Sequence, residues 1–310
     1  MNKYQFTIFT PVYNGIHTIN RVWESLLSQT IKDFEWIIVN DGSTDGIERI
    51  LDEYKSKAFF PVTIINQQNQ GKHVAWNRAV EIAQGELFLP ADCDDEFVPE
   101  TLGVFLKCWF EIPDEERPYF SGINVLCKDP VKKLVIGDKF PQSLFVSNNL
   151  DLYYLHKIKG EKWGCIRTDC LRLRNNPEIP GTHIPECWIW FWLARRFKVL
   201  CINVPLRIYY HNEAGNISSK KNKETHLIRL QTNYVFLCWH LSDNIDYIIK
   251  YEGFISILKN FMILWKESFY LKICSRRVIS DLRMFWPRFL AFITFLPGLA
   301  YYLVSIYKDK

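Results

Sequence analysis

The first hundred residues alternate short apolar runs with segments whose apolar residues recur at helical spacing. The apolar runs are residues 6–10, 36–39, 62–65 and 87–89. Between the first two runs, Val22, Trp23 and Leu26 recur at intervals typical of a helix that buries one face. Continuous apolar strands that alternate with helices indicate a parallel sheet covered on both faces. The pattern therefore predicts an α/β domain in this part of the chain.

The pattern loosens between residues 100 and 210. We predict helices at 102–109 and from residue 186, a loop at 160–164, and strands at 119–127, 134–136, 199–204 and 206–210. A polar stretch at 212–223 then precedes a helical and increasingly hydrophobic segment. The predicted division is one α/β domain of residues 1–215 and a helical region of residues 216–310.

Composition narrows the classes of protein that fit this pattern. Hydrophobic residues make up 48% and aromatic residues 15%, which argues against long disorder. The net charge of +4 is mild, and in the first 200 residues no basic stripe interleaved with aromatics marks a nucleic-acid partner. The nine cysteines include no C-x-x-C pair, so reduced thiols are expected rather than disulfides or a zinc site. The first residues show no signal peptide, which predicts a cytoplasmic location.

Polar side chains follow the predicted strands where each strand ends. Asn14, Asp41 and the acidic run 92–95 (DCDD) all lie at such points, and parallel sheets bind ligands at the carboxyl ends of their strands. On an extended segment Asp92 and Asp94 would share one side, because side chains alternate with a period of two. Carboxylate oxygens suit hard divalent cations. A solvated acidic loop that caps the next helix is the alternative interpretation.

Four blocks of sequence sharpen this interpretation. They are 10–14 (TPVYN), 40–45 (NDGSTD), 69–72 (NQGK, with Ala75 and Asn77), and 85–86 (GE) ahead of 92–95 (DCDD). In this order and spacing they resemble glycosyltransferase family 2, the inverting GT-A transferases, over residues 6–210. The resemblance implies a GT-A fold with a Rossmann-like, mostly parallel sheet and flanking helices. It also implies a nucleotide-binding part at about 1–98 and an acceptor-binding part at about 99–215.

The resemblance implies a role for each matching residue. The implied nucleotide contacts are Thr10 (through its backbone), Pro11, Tyr13, Asn14, Asp41, Lys72 and Asp92. Asp94 would bind Mn²⁺ or Mg²⁺, and Asp95 would face the transferred sugar. Asp41 also fits a turn residue that caps the helix behind it.

Family members usually carry an adjacent Glu–Asp pair, which supplies the general base, at the start of a later helix. Residues 184–188 occupy that place here, but only Glu186 is acidic because Cys187 stands at the second position. An ionised glutamate can accept the proton of an attacking hydroxyl. A carboxylate favoured only by the helix dipole is the alternative.

Two further residues complete the predicted site. His211 follows the last predicted strand, and some GT-A enzymes supply a late histidine to the metal or diphosphate. A purely structural histidine is the alternative. Trp163 lies in a predicted loop flanked by glycines, where we expect it to contact the donor sugar or the acceptor.

The end of the chain predicts contact with a membrane. Residues 289–307 carry no charge, and a helix of that length spans about 28 Å, against roughly 30 Å for a hydrocarbon core. Pro297 and Gly298 are expected to break it, and basic residues precede it among aromatic ones. This composition favours in-plane or re-entrant association with an anionic membrane. A helix packed on the protein or on a second subunit is the alternative.

Together these features predict an inverting, metal-dependent hexosyl- or N-acetylhexosaminyl-transferase at the cytoplasmic face of the plasma membrane. The expected donor is a nucleotide sugar, UDP-linked, and the expected acceptor a lipid-linked (polyprenyl-diphosphate) glycan of bacterial surface-polysaccharide synthesis. A catalytically inactive nucleotide-sugar-binding scaffold is the alternative, because Cys187 replaces the second acid. The sequence leaves open the sugar, the linkage and whether the chain forms a homo-oligomer.

Overall fold

The computed structural model of the chain describes residues 3–179, 182–210 and 223–308. The strands are β1 (Tyr4–Val12), β2 (Phe34–Asp41), β3 (Val62–Gln67), β4 (Gly85–Pro90), β5 (Glu96–Phe97), β6 (Phe120–Lys128), β7 (Phe145–Ser147), β8 (Lys162–Arg167) and β9 (Lys198–Ile208). The helices are α1 (Asn20–Ser28), α2 (Glu48–Lys57), α3 (Lys72–Ile82), α4 (Thr101–Phe110), α5 (Asn149–Tyr154), α6 (Thr168–Leu171), α7 (Cys187–Ala194), α8 (Lys223–Asp243), α9 (Ile245–Glu252), α10 (Phe254–Tyr270), α11 (Ser275–Asp281) and α12 (Phe285–Lys308). A short 3-10 helix covers Arg117–Tyr119.

The strands form one sheet in the order β3-β2-β1-β4-β8-β6-β9-β5, and β7 pairs with β9. Strands β1 to β4 run parallel to one another, whereas β8 lies antiparallel between β4 and β6. Every residue of β2 is buried, as expected for a parallel strand covered on both faces. The predicted α/β class is therefore confirmed, and the alternation in the first hundred residues supplies the parallel half of the sheet.

Three predictions of the second half of the domain are wrong. Residues 162–164 belong to β8 rather than to a loop. Gly164 lets β8 lie tightly against β6, since a Cβ there would lie 1.9 Å from the carbonyl oxygen of Ile123. Residues 134–136 form a single bridge, Lys128 with Val135, instead of a strand. The predicted strands 199–204 and 206–210 are one strand, β9, in which Pro205 lies opposite β6 at a point where the register shifts.

Contacts divide the chain into two compact units. The first comprises Met1–Glu178 and Ile189–Ser219, and the second comprises Ile179–Trp188 and Lys220–Lys310. The first contains the sheet, and the second contains α8 to α12. The assignment of nucleotide, acceptor and membrane roles to residues 1–98, 99–215 and 216–310 stays a prediction.

In the second unit, α12 packs along α10. Trp265 of α10 is buried, and its Nε1 donates to the carbonyl oxygen of Ala291 over 2.9 Å. Gly298 lies against Trp265 so closely that a Cβ there would be 2.4 Å from the Cβ of the tryptophan. The predicted break at Pro297 and Gly298 is wrong, because α12 continues through both. Pro297 lies on an exposed side, and Gly298 allows the close approach of the two helices.

The opposite side of α12 is apolar and exposed. Its outer face consists of Phe285, Phe289, Phe292, Leu296, Leu303 and Tyr307, all between 47% and 84% exposed. These residues recur at intervals of three, four and seven, so they form one stripe along the helix. Among the described residues, Phe285–Tyr307 is the helix long and apolar enough to cross a membrane, by length and composition alone.

Candidate active site

The acidic turn, residues 92–95, follows β4 at its carboxyl end. The N–H of Asp95 donates to the carbonyl oxygen of Asp92 over 3.2 Å, so these residues form a turn rather than the extended segment predicted. Strand β5 starts directly afterwards and pairs with the end of β9, with Phe97 opposite Arg207. The turn is thus held between two parts of the sheet.

Asp92 is paired with two cations. Lys72, the first residue of α3, places its Nζ 2.5 Å from Asp92 Oδ1, and Arg207 Nη2 lies 2.9 Å from Asp92 Oδ2. Burial opposes the charge on Asp92, but Lys72 and then Arg207 outweigh it and lower its pKa to about 2. Asp92 is therefore an ionised carboxylate at any physiological pH.

Asp95 is buried, and both of its oxygens are engaged. Oδ2 accepts hydrogen bonds from Nε of Arg207 over 2.8 Å and from Nη2 of the same residue, and Oδ1 accepts one from the N–H of Tyr210 over 3.0 Å. The predicted contact of Asp95 with the transferred sugar needs correction, because its side chain is only 4% exposed and holds the turn to β9.

Asp94 differs from its neighbours. Its side chain is half-buried, and no described side chain donates a hydrogen bond to its carboxylate. Its carbonyl oxygen accepts a hydrogen bond from Nη1 of Arg21 over 2.6 Å. Burial, and then the charge of Asp92, raise the pKa of Asp94. A bound cation would relieve both effects, so the chemistry of this carboxylate fits a metal ligand.

A complete protein cage for a metal is not found among the described residues, since no three His, Cys, Asp or Glu side chains converge there. Asp92 and Asp95 are already engaged by Lys72 and Arg207. The chain thus offers one carboxylate at this point, and phosphate oxygens and water would have to complete the shell, as is common for Mg²⁺. The predicted second ligand, His211, lies outside the described residues.

Asp41 fixes the loop that carries Lys72. Its Oδ1 accepts from Nε2 of Gln67 over 2.7 Å and from the N–H of Gln70 over 2.8 Å, while Oδ2 accepts from the N–H of Gly71 over 2.8 Å. The alternative of a cap on the helix behind Asp41 is wrong, because its partners lie ahead of α3. A nucleotide contact of Asp41 stays a prediction.

The ends of β1 and β2 are tied by reciprocal hydrogen bonds. The N–H of Asn14 donates to Oγ of Ser43 over 2.9 Å, and the N–H of Thr44 donates to Oδ1 of Asn14 over 2.7 Å. Tyr13 beside them is 53% exposed, as an aromatic that stacks on a base must be. Thr10 is fully buried beside β2, and its hydroxyl accepts from the indole N–H of Trp36, so a nucleotide contact through its backbone stays a prediction.

Of two further predicted site residues, one lies in the core and the other is exposed. Trp163 is 2% exposed, donates its Nε1 hydrogen to the carbonyl oxygen of Pro90 over 2.6 Å and packs on Phe97. The predicted sugar contact of Trp163 is corrected accordingly, because this side chain belongs to the core. Glu186 is exposed and directly precedes α7, as the sequence predicts.

Sequence reasoning missed the cations that organise the acidic turn. Arg207 contacts Asp92 and Asp95 from β9, and Arg21 holds the carbonyl oxygen of Asp94 from α1. The available signal was the single charged residue, an arginine, inside the largely apolar 199–210 run. A buried arginine in a strand requires a carboxylate partner, and the acidic turn was the candidate.

Comparison with known proteins agrees with this geometry. Residues 7–114, which include β1 to β4 and the acidic turn, match the family model described as glycosyl transferase family 2. Residues 7–114 are therefore a glycosyltransferase family 2 domain. An uncharacterized glycosyltransferase of Rickettsia felis is 33% identical over 237 residues, covering 72% of this chain and 37% of the relative. The putative teichuronic acid biosynthesis glycosyltransferase TuaG of Bacillus subtilis is 31% identical, covering 52% of this chain and 59% of the relative.

Solved structures of similar fold support the GT-A prediction for this chain. Staphylococcus aureus TarS 1–349 in complex with UDP-GlcNAc superposes with a TM-score of 0.55 at 18% identity, covering 97% of this chain and 92% of that one. The mannosyltransferase PcManGT of Pyrobaculum calidifontis, in complex with GDP-Man and Mn²⁺, gives 0.56 at 17% identity, covering 98% and 85%. At these identities the likeness shows the fold alone, and the GT-A fold is confirmed. The chain spans less than half the length of several curated relatives that it matches.

Proposed function

We propose that the chain transfers a hexosyl or N-acetylhexosaminyl group from a nucleotide sugar, UDP-linked, with inversion at the anomeric carbon. The observation that carries the proposal is the acidic turn. It holds an ionised Asp92 paired with Lys72 beside an Asp94 whose carboxylate lacks a described side-chain partner. The TarS structure of similar fold holds UDP-GlcNAc, and TuaG is named as a putative teichuronic acid biosynthesis glycosyltransferase, which supports a nucleotide sugar as the donor.

The departing group in this reaction is a nucleoside diphosphate, whose negative charge must be neutralised. Mn²⁺ or Mg²⁺ held by Asp94 would supply that neutralisation when bound. Lys72 adds a fixed positive charge at the start of α3, on the loop that Asp41 braces. Asp92 would accept hydrogen bonds from ribose hydroxyls, and Tyr13 would stack on the base.

Glu186 is the proposed general base. It accepts the proton of the acceptor hydroxyl while that oxygen bonds to the anomeric carbon, and the bond to the diphosphate breaks on the opposite side. Both electrons of the broken bond leave with the diphosphate, so the sugar inverts in one displacement. Cys187 cannot replace the second acid, because burial and then Glu186 raise the pKa of its thiol to about 12.

The decisive experiment measures donor hydrolysis and transfer by the purified full chain across a panel of nucleotide sugars with Mn²⁺. A Glu186→Gln variant should keep the affinity for UDP and lose turnover by about 100-fold or more. Glu100→Gln is the matched control, because Glu100 directly precedes α4 as Glu186 precedes α7, and it should behave as wild type. Normal turnover in the Glu186 variant would remove the base assignment.

The inactive scaffold is the competing function. Calorimetric titration with UDP and Mn²⁺, followed by a turnover assay, separates the two functions. A scaffold and a transferase would both bind the nucleotide, but only a transferase would turn over a nucleotide sugar. Binding without turnover across all donors and a range of acceptors would favour the scaffold.

We further propose that α12 lies in the plane of an anionic membrane, at its cytoplasmic face, where a lipid-linked glycan acceptor would be presented. The outer face gives a stripe of exposed apolar side chains along the whole helix. Residues 271–307 carry five Lys or Arg and one acid, Asp281, so their charge complements anionic headgroups.

Packing favours the in-plane arrangement over a span. Contacts from Ala291 to Ser305 tie α12 to Trp265 and Tyr270 of α10. Helix α10 also carries Lys259, Lys266 and Glu267, and a crossing α12 would draw these charges into hydrocarbon. An in-plane helix leaves α10 on the protein side.

Vesicle flotation of the full chain tests this attachment. Phe292→Ser with Leu296→Ser should reduce binding to vesicles rich in phosphatidylglycerol by about 10-fold or more, since two large apolar side chains leave the lipid. Val131→Ser with Leu134→Ser is the matched control, because these residues are 86% and 66% exposed in the first unit. Equal flotation of both variants, or none by the wild type, would contradict the proposal.

A further inference from the structure

One buried arginine on β9 contacts both ends of the acidic turn. Arg207 is 6% exposed, and its Nε and Nη2 hold Asp95 while Nη2 also lies 2.9 Å from Asp92. Its Nη1 lies 3.7 Å from Oε1 of Glu161 on the approach to β8. Burial disfavours the charge on Arg207, but Asp92 and Asp95 outweigh it and raise its pKa, so the side chain stays a cation.

Two other groups secure the same turn. The N–H of Tyr210 donates to Asp95, and the ring of Tyr210 lies 3.7 Å from the guanidinium carbon of Arg21. Arg21 in turn donates to the carbonyl oxygen of Asp94. The residues on either side of Asp94, and its own backbone, are therefore fixed from the end of β9 and from α1. We call Arg207, Tyr210 and Arg21 the β9 clamp.

We propose that Arg207 is a positioning residue that orients the acidic turn, so that Asp94 presents its carboxylate to the cation–diphosphate group. By occupying Asp92 and Asp95, Arg207 prevents them from competing with Asp94 for the cation. The inference rests on the proposed function, because it names what the turn is held ready to bind.

The geometry requires arginine and not merely a positive charge. Arg207 engages two carboxylates with two different nitrogens of one rigid plane. Lysine has a single nitrogen on a flexible stem and cannot reproduce that fork. Arg207→Lys therefore keeps the charge and loses the orientation.

The test compares Arg207→Lys with Arg167→Lys in the full chain. Arg167 is the matched control, because it is also the arginine of a strand, β8, and holds a carboxylate, that of Asp169, with two nitrogens. Arg207→Lys should weaken Mn²⁺-dependent binding of UDP by about 10-fold and lower kcat more than it raises KM. Arg167→Lys should leave both unchanged, with a smaller loss in Tm because the side chain of Asp169 is 65% exposed. Equal effects of the two variants on UDP and Mn²⁺ binding would overturn the role.

A second readout does not need the nucleotide. Hydrogen exchange of the Asp95 amide, which donates to Asp92, should speed up by about 10-fold in Arg207→Lys and stay unchanged in Arg167→Lys. If Arg207→Lys fails to fold, Arg21→Met replaces it in this comparison with Arg167→Lys, because Arg21 lies at a half-exposed position. If the wild type binds no UDP, the proposed function fails, and unchanged exchange in both clamp variants separately overturns the clamp.

Discussion

The acidic turn presents a charged group to which no described side chain donates a hydrogen bond, whereas helix α12 exposes a row of apolar side chains. In the turn, Asp92 and Asp95 are paired with Lys72 and Arg207, and only the carboxylate of Asp94 lacks a described side-chain partner. In α12, the inner side packs on Trp265, and the outer face meets no described part of the second unit. A polar binding site is thus indicated by a single charged group without a partner, whereas an apolar binding surface is indicated by exposed apolar side chains that recur along a helix.

The largest expected effect breaks the polar half of this comparison. Asp94→Asn removes the proposed metal ligand, so turnover should fall by about 1,000-fold while Tm changes little, because no described side chain hydrogen-bonds this carboxylate. Steady-state rates against Mn²⁺ concentration measure it. Asp114→Asn, at an 88% exposed side chain, should match the wild type. More than half of the activity remaining in Asp94→Asn would show that the metal role is misplaced.

The next effect concerns a buried ionisable group of the helical unit. Burial lowers the pKa of His240 to about 4, and its ring stacks on Phe236 at 4.9 Å. Below pH 6.5 the unfolded chain binds a proton at His240 that the folded chain, with a pKa of about 4, does not bind. The free energy of unfolding should therefore be greatest above pH 6.5 and fall as the pH drops toward 4. The second unit should lose about 3 kcal/mol across that window by urea titration. A flat profile in wild type, or no flattening in His240→Gln, would contradict this.

The smallest effect sharpens the apolar half. Gly298→Ala places a Cβ 2.4 Å from Trp265 and should lower the free energy of unfolding by about 2 kcal/mol through overpacking. Its neighbour Pro297→Ala lies on an exposed side and restores a helical N–H, so it should be neutral or stabilising. Urea unfolding of the two variants measures the difference. Similar losses in both would mean that α12 does not pack on α10 as described.

The elements marked by a local pattern could be predicted from the sequence, and those contacts that join distant parts of the chain could not. Strands β1 to β4 and their helices follow from local periodicity, and three of the four family blocks locate Asp41, Lys72 and Asp92 at strand or helix ends. The partner of the turn could not be found in this way, because Arg207 and Asp95 are 112 residues apart. Their contact depends on the pairing of β5 with β9, which no local pattern encodes.

Trp163 shows the same limit in an apolar setting. Glycines on both sides of it are typical of a loop, and a tryptophan in a loop is typical of a sugar site. In β8 the second glycine instead permits close contact with β6, and the indole fills the core beside Phe97 and Phe105. A glycine is therefore ambiguous until the neighbouring strand is known.

The path of the chain between the two units has a consequence for synthesis on the ribosome. Residues Ile179–Trp188 belong to the helical unit, where the N–H of His183 donates to Oγ1 of Thr232 and Trp188 packs on Trp239. The segment with Glu186 therefore emerges 49 residues before a partner that holds it. The sheet can form first, but the proposed base acquires its setting only when α8 has been made. Under the proposed function, the nascent chain would complete the acidic turn and its contacts with Arg207 and Tyr210 before the segment that carries the base is held in place.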